Sequence, residues 1–137
     1  KNELLKIPIF GWYLKKIGSI SVNRNKVTKD NLGLIDKIKK SVESSNRPIL
    51  IFPQATRVLP TEIIPFKKGV GRIYKELNIK CQPVVINSGY TWPKKGPLKS
   101  NNTITISILK HIDKGMSSED FLTKIEEVIY SELKVIS

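Results

Sequence analysis

The chain has 137 residues, 39% of them apolar and 26% charged, which suits one domain with a real core and excludes a disordered segment. No apolar run reaches the ~20 residues that span a bilayer, and the single cysteine, Cys81, excludes an internal disulfide, leaving a reduced cytosolic setting as the default. The net charge of +12 favours an anionic partner (nucleic acid, an anionic membrane face or a phosphorylated substrate), but a lysine-rich composition with basic solvated faces gives the same sum, so charge does not choose among them.

Taken in chain order, residues 7–17 predict a short amphipathic helix, with Pro8 near its first turn and Gly18 after its end. Residues 19–23 read as a short strand. Residues 29–45 read as a helix, with Leu32, Ile35, Ile38 and Val42 near one face and Thr28 as its N-cap. The apolar run 48–52 has strand length and suits a strand covered on both faces, as in a parallel sheet. Residues 54–65 are loop, 69–77 a short helix and 82–87 a second buried strand. A loop rich in Gly, Pro and Lys follows over 88–102, and the alternation of 103–109 suits a strand near an edge. Ser117 caps a last helix, with Asp120 three positions on, and Phe121, Ile125, Val128, Ile129 and Leu133 form its buried stripe. Cys81 precedes a strand and reads as a small buried filler.

This order predicts a single α/β domain over 1–137, with a mixed, mostly parallel sheet flanked by helices and right-handed crossovers. Ligands of open α/β sheets bind beyond the carboxyl ends of the strands. Two loops start at such ends, 53–57 and 88–92.

The first of these loops carries chemistry. Pro53 ends a strand-like run, and an amide, a hydroxyl and a guanidinium follow closely in Gln54, Thr56 and Arg57. Arginine grips phosphate with a planar fork and keeps its charge at any working pH. Ten residues after Arg57 come Lys67 and Lys68, then the flexible Gly69, opening a helix whose N-terminus favours anions.

These residues resemble a known family. The run 51–57 (IFPQATR) resembles the Phe-Pro-Glu-Gly-Thr-Arg block of the glycerolipid acyltransferases, the family of 1-acylglycerol-3-phosphate acyltransferases. Lys1-Asn2-Glu3-Leu4, Ile7-Pro8-Ile9-Phe10-Gly11-Trp12, Gly18 and Arg24 resemble the family's second block. Pro65-Phe66-Lys67-Lys68-Gly69 resembles its Pro-Phe-Lys-x-Gly, and Pro83-Val84-Val85-Ile86-Asn87-Ser88-Gly89 resembles its fourth block. The resemblance runs from Lys1 to about Trp92. Two positions depart from it: the family's Glu-Gly is Gln54-Ala55 here. Glutamine keeps the shape without the charge, and alanine fits glycine's place if its φ is negative.

The resemblance implies acyl transfer from a thioester on coenzyme A or acyl carrier protein to the free hydroxyl of a lysophosphatidate-like substrate, with no further cofactor and no metal. It assigns the general base to a histidine oriented by an aspartate in a first block. That block is absent from the sequence, whose one histidine, His111, lies two residues before Asp113 and reads as a strand-end surface residue. The family order places the block before Lys1, so the chain is expected to be the later part of the domain and inactive alone. No residue of this chain is therefore assigned to catalysis. The implied phosphate binders are Arg57 first, then Thr56, Arg24, Lys1, Gln54 and Ala55, with Lys67 and Lys68 as weaker candidates.

Phe10, Trp12 and Tyr13 beside Lys15 and Lys16 suit either a membrane interface or a core-facing helix with a basic outer face. An anionic membrane surface is the expected neighbour, on the cytoplasmic face of the inner membrane. Tyr90 and Trp92 are expected to pack their loop rather than line an acyl groove. Two other functions stand beside the main one: a related acyltransferase using glycerol 3-phosphate or another lyso-lipid, and a basic nucleic-acid-binding module. The second needs a basic stripe with stacking aromatics. The lysines are spread along the chain instead, so no nucleic acid is expected.

Overall fold

The computed structural model describes residues 5–20, 30–45, 47–59, 61–93, 95–99 and 101–137, with backbone alone at 30–32. The chain divides into two compact units, Lys1–Leu50 and Ile51–Ser137.

The first unit contains helices α1 (Phe10–Lys16) and α2 (Asp30–Ser45). α1 starts three residues later than the sequence predicts, because Ile9 holds a non-helical φ of 65° and leaves Pro8 outside the first turn. Its end is as expected: Gly18 takes φ 73° and donates to Lys15 O at 3.1 Å. α2 buries Ile35 and Ile38, and Val42 is half-buried. Thr28 and residues 21–23 of the expected strand lie outside the described residues, and residues 19 and 20 carry no strand.

The strand expected at 48–52 is not formed, and Leu50 and Phe52 are 77% and 74% exposed. An apolar run becomes a strand only where a neighbouring backbone takes up its N–H and C=O groups.

In the second unit, helix α3 (Lys68–Leu77) ends at Asn78, whose left-handed φ of 48° lets its N–H reach Tyr74 O. Strands β1 (Val84–Ile86) and β2 (Ile106–Ile108) pair antiparallel, with Val84 opposite Ile108 and Ile86 opposite Ile106. A bridge between Cys81 and Ile112 extends the pairing. The molecule is mixed α/β, but the mostly parallel sheet expected from the element order is not seen among the described residues. Between β1 and β2, the described residues of 87–105 form a short 3-10 turn, Ser88–Tyr90, and no other helix or strand. The connection is long enough for a crossover, but a parallel neighbour is usually reached through an α-helix, and none lies among its described residues. The strand expected to be fully buried is buried on one face alone: Val85 is covered while Val84 and Ile86 are nearly half exposed.

Helix α4 (Ser118–Ile136) packs against α3 and β1. Its cap is the predicted one, Ser117 Oγ accepting from Asp120 N at 3.1 Å. Its stripe buries Phe121 and Ile125, half-buries Val128, Ile129 and Leu133, and adds Tyr130, which the apolar pattern passes over. Phe66, Tyr74, Ile112, Phe121, Ile125 and Tyr130 form the core, with Cys81 packed at its margin. Tyr74 and Phe121 stack with centroids 3.7 Å apart. Burial pushes the Cys81 thiol above its ordinary range.

Close approach of α3 to α4 depends on Gly71. A Cβ there would lie 2.6 Å from Ser118 O and 2.9 Å from Leu122 Cγ. Buried Asn87 ties three segments together. Its Oδ1 accepts from Thr105 N at 2.8 Å, its Nδ2 donates to Ile136 O at 2.7 Å, and its backbone N–H donates to Thr105 O at 3.3 Å.

Candidate anion-holding loop

The loop that follows the 48–52 run is a tight turn. Ala55 N donates to Phe52 O at 3.0 Å around Pro53 and Gln54, and proline at the second position of such a turn is pre-set for it. The turn closes with Ala55 at φ 57°. The condition under which alanine would fit glycine's place, a negative φ, is not met: alanine occupies the left-handed region that favours glycine, at a cost of roughly 1–2 kcal/mol for an L-residue. Thr56 and Arg57 follow, both exposed.

The turn is fastened to the start of α3. Pro53 O accepts the N–H of Lys67 at 3.0 Å. Lys67 stands at the N-cap position with extended backbone and makes no side-chain cap, and the first turn holds no acidic residue. Lys67, Lys68 and Gly69 are exposed. Two groups ten residues apart in sequence, 53–57 and 67–69, thus share one hydrogen-bonded framework, and the amide N–H groups and positive end of α3 lie at that framework.

Gln54 is half-buried and directed inward. Its Nε2 donates to Tyr130 Oη at 3.3 Å. Tyr130 also accepts from Ile64 N at 3.2 Å and donates to Ile64 O at 2.6 Å. One turn earlier on α4, Glu126 Oε1 accepts from Phe66 N at 2.5 Å. The sequence pattern missed Tyr130 and Glu126. The available signal was a tyrosine inside an otherwise aliphatic stripe, since a buried phenol needs partners for its hydroxyl.

The structure brings Gln54, Ala55, Thr56, Arg57, Lys67 and Lys68 onto one framework. Lys1 and Arg24 lie outside the described residues. His111 is on the surface with its side chain 41% exposed, its Nε2 3.4 Å from Asp113 Oδ1 and 3.5 Å from Lys80 Nζ. Lys80 is 3.3 Å from Asp113, and its hydrogen bond and charge hold that carboxyl below the usual carboxylate range. Trp92 is 66% exposed, which corrects the expectation that it packs its loop; Tyr90 is half-buried. Among the described residues no group of His, Cys, Asp and Glu can hold a metal ion, and no helix is long and apolar enough to cross a membrane.

Comparison with known proteins bears on this arrangement. Residues 1–87 match the family model described as Acyltransferase, nearly two-thirds of the chain. A 1-acyl-sn-glycerol-3-phosphate acyltransferase of Pseudomonas aeruginosa is 31% identical over 110 residues, covering 79% of this chain and 42% of that protein. Its counterpart in Helicobacter pylori is 29% identical over 136 residues, 96% of this chain and 56% of that protein. The Saccharomyces cerevisiae protein of the same name is 27% identical over 144 residues, 99% of this chain and 47% of that protein. The chain spans about half the length of these curated relatives. No solved structure matches it significantly. With its blocks in family order and the 53–57 and 67–69 segments joined in space, this chain belongs to the acyltransferase family.

Proposed function

We propose that this chain supplies the substrate-holding part of an acyltransferase domain that moves an acyl group from a thioester, on coenzyme A or acyl carrier protein, to the free hydroxyl of 1-acylglycerol 3-phosphate. The observation that carries the reading is the bond from Lys67 N to Pro53 O, which joins the Thr56–Arg57 turn to the basic start of α3. Arg57 grips the substrate phosphate, and Thr56 adds a hydroxyl donor. Lys67 and Lys68 raise the local positive potential, and Gln54 and Ala55 shape the turn.

Held in this way, the substrate is placed so that its hydroxyl meets the thioester carbonyl, a proximity effect rather than bond chemistry by these residues. The hydroxyl oxygen bonds to the acyl carbon, the C–S bond breaks, and the hydroxyl proton ends on the thiol. The relatives' names give the acceptor, and the resemblance assigns the proton to a histidine–aspartate pair that this sequence does not carry at the family spacing. A protein of these 137 residues is therefore expected to bind without turnover.

The amphipathic α1 segment supports contact with an anionic membrane surface. Phe10, Trp12 and Tyr13 are 45%, 62% and 54% exposed. Lys15 and Lys16 end the helix, and Lys16 Nζ lies 4.5 Å from the Trp12 ring centroid. Aromatic and lysine side chains together favour the headgroup layer, here on the cytoplasmic face.

Titration with glycerol 3-phosphate, comparing the native chain with Arg57→Ala, tests the proposal. A loss of affinity of about tenfold or more is expected for a charge-assisted phosphate contact. Equal affinity in the two proteins refutes the role of Arg57.

A further inference from the structure

A phenol hydroxyl has one hydrogen to give and two lone pairs to fill. Tyr130 uses all three. Its hydrogen goes to Ile64 O at 2.6 Å, and its lone pairs take Ile64 N at 3.2 Å and Gln54 Nε2 at 3.3 Å. Tyr130 is 8% exposed and its ring packs on Phe66 with centroids 5.4 Å apart, so the hydroxyl has little freedom to leave this position. Since its hydrogen is committed to Ile64, the hydroxyl can receive only a donor from position 54. Glutamine provides one. A carboxylate at that position does not, and would compete with Ile64 O for the same hydrogen.

The two segments that meet here are the turn bearing Thr56 and Arg57 and the approach to Lys67. Both are also held elsewhere, the first by Lys67 N on Pro53 O and the second by Glu126 on Phe66 N. Glu126 and Tyr130 are four residues apart and therefore on one side of α4. Both lie beyond residues 1–87, the part that matches the family model.

We infer that Tyr130 is a positioning residue: its hydroxyl holds the 53–57 turn in register with the start of α3, and Gln54 is the donor that this hydroxyl requires. The placement of the turn is independent of any ligand. Its consequence for phosphate binding rests on the function proposed above.

A double-mutant cycle of Tyr130→Phe and Gln54→Ala in the full chain tests the inference, with two readouts on each protein. In the absence of ligand, Tyr130→Phe keeps the ring and is expected to shift the amide resonances of residues 54–57, 64 and 66–68. With glycerol 3-phosphate it is expected to weaken binding about fivefold, the scale of one hydrogen bond. That loss should vanish in the Gln54→Ala background, because the connection is already cut. Gln54→Glu should mimic Tyr130→Phe, while Gln54→His, which restores a donor, should recover part of the affinity. Unmoved amides at 54–57 in Tyr130→Phe overturn the inference. So does an equal loss of affinity whether or not Gln54 is present, which marks Tyr130 as merely structural. If the native chain binds no glycerol 3-phosphate, the phosphate-holding function falls, and the amide shifts still decide the role of Tyr130.

Discussion

Replacing Gly71 by alanine adds one methyl group where α3 meets α4. In an open helix the change is favourable, since alanine exceeds glycine in helix propensity by about 0.8–1.0 kcal/mol. Here the new carbon meets Ser118 Oγ at 2.5 Å, Ser118 O at 2.6 Å and Leu122 Cγ at 2.9 Å. The serine hydroxyl can turn away, but the carbonyl belongs to the first turn of α4 and moves only with it. Restoring an ordinary contact of 3.4 Å requires the helices to part by about 0.8 Å, which loosens the Tyr74–Phe121 stack behind them. Overpacking of this kind costs about 1–3 kcal/mol, against the propensity gain of about 0.8–1.0 kcal/mol, for a net loss of up to roughly 2 kcal/mol.

Gly69, two residues earlier in the same helix, has nothing within 4 Å of its Cβ position and provides the control. Gly69→Ala is expected to be neutral or slightly stabilising. Urea denaturation followed by far-UV circular dichroism measures both variants, with thermal midpoints moving by roughly 3–5 °C per kcal/mol for a chain of this size. A Gly71→Ala protein as stable as Gly69→Ala refutes the close approach of α3 and α4.

Ala55→Gly is expected to raise stability by somewhat under 1 kcal/mol, because relief of the left-handed alanine exceeds the extra freedom that glycine adds to the unfolded chain; the urea midpoint checks it. Burial raises the Cys81 thiol pKa, so its contribution to stability is present below the ordinary value of 9.0 and is lost as pH rises toward the higher folded value. The urea midpoint of the native chain should therefore fall over that alkaline range relative to Cys81→Ala, and native Cys81 should react with iodoacetamide more slowly than in the unfolded chain. Lys80 lowers the Asp113 pKa by hydrogen bond and charge, so this carboxylate favours the folded state above its ordinary 3.8, and that favour is lost as pH falls through the lower folded value. NMR titration of Lys80→Ala should show the Asp113 midpoint return toward 3.8.

Much of the helical layout was legible because caps and periodicity are local. Ser117 and Asp120 mark the start of α4 from their side-chain chemistry alone, and the predicted boundaries of α2 and α3 each differ by one residue from the observed ones. The phosphate-holding role proposed for Thr56, Arg57, Lys67 and Lys68 rests likewise on residue type and order in the chain. The pairing of strands was not, since an apolar run does not say which backbone will complete its hydrogen bonds. Residues 48–52 look like a central strand in composition and carry no ladder, while 84–86 pair antiparallel with 106–108.

By itself, then, the sequence determined the family, the helices and the residues proposed to hold an anion. The tertiary structure decided how those residues are held. Only contact across the second unit could show that Lys67 N meets Pro53 O and that Gln54 looks inward to Tyr130. It also showed that an alanine occupies a left-handed position. The first two facts depend on hydrogen bonds between residues 14 and 76 positions apart, whose pairing no local pattern specifies.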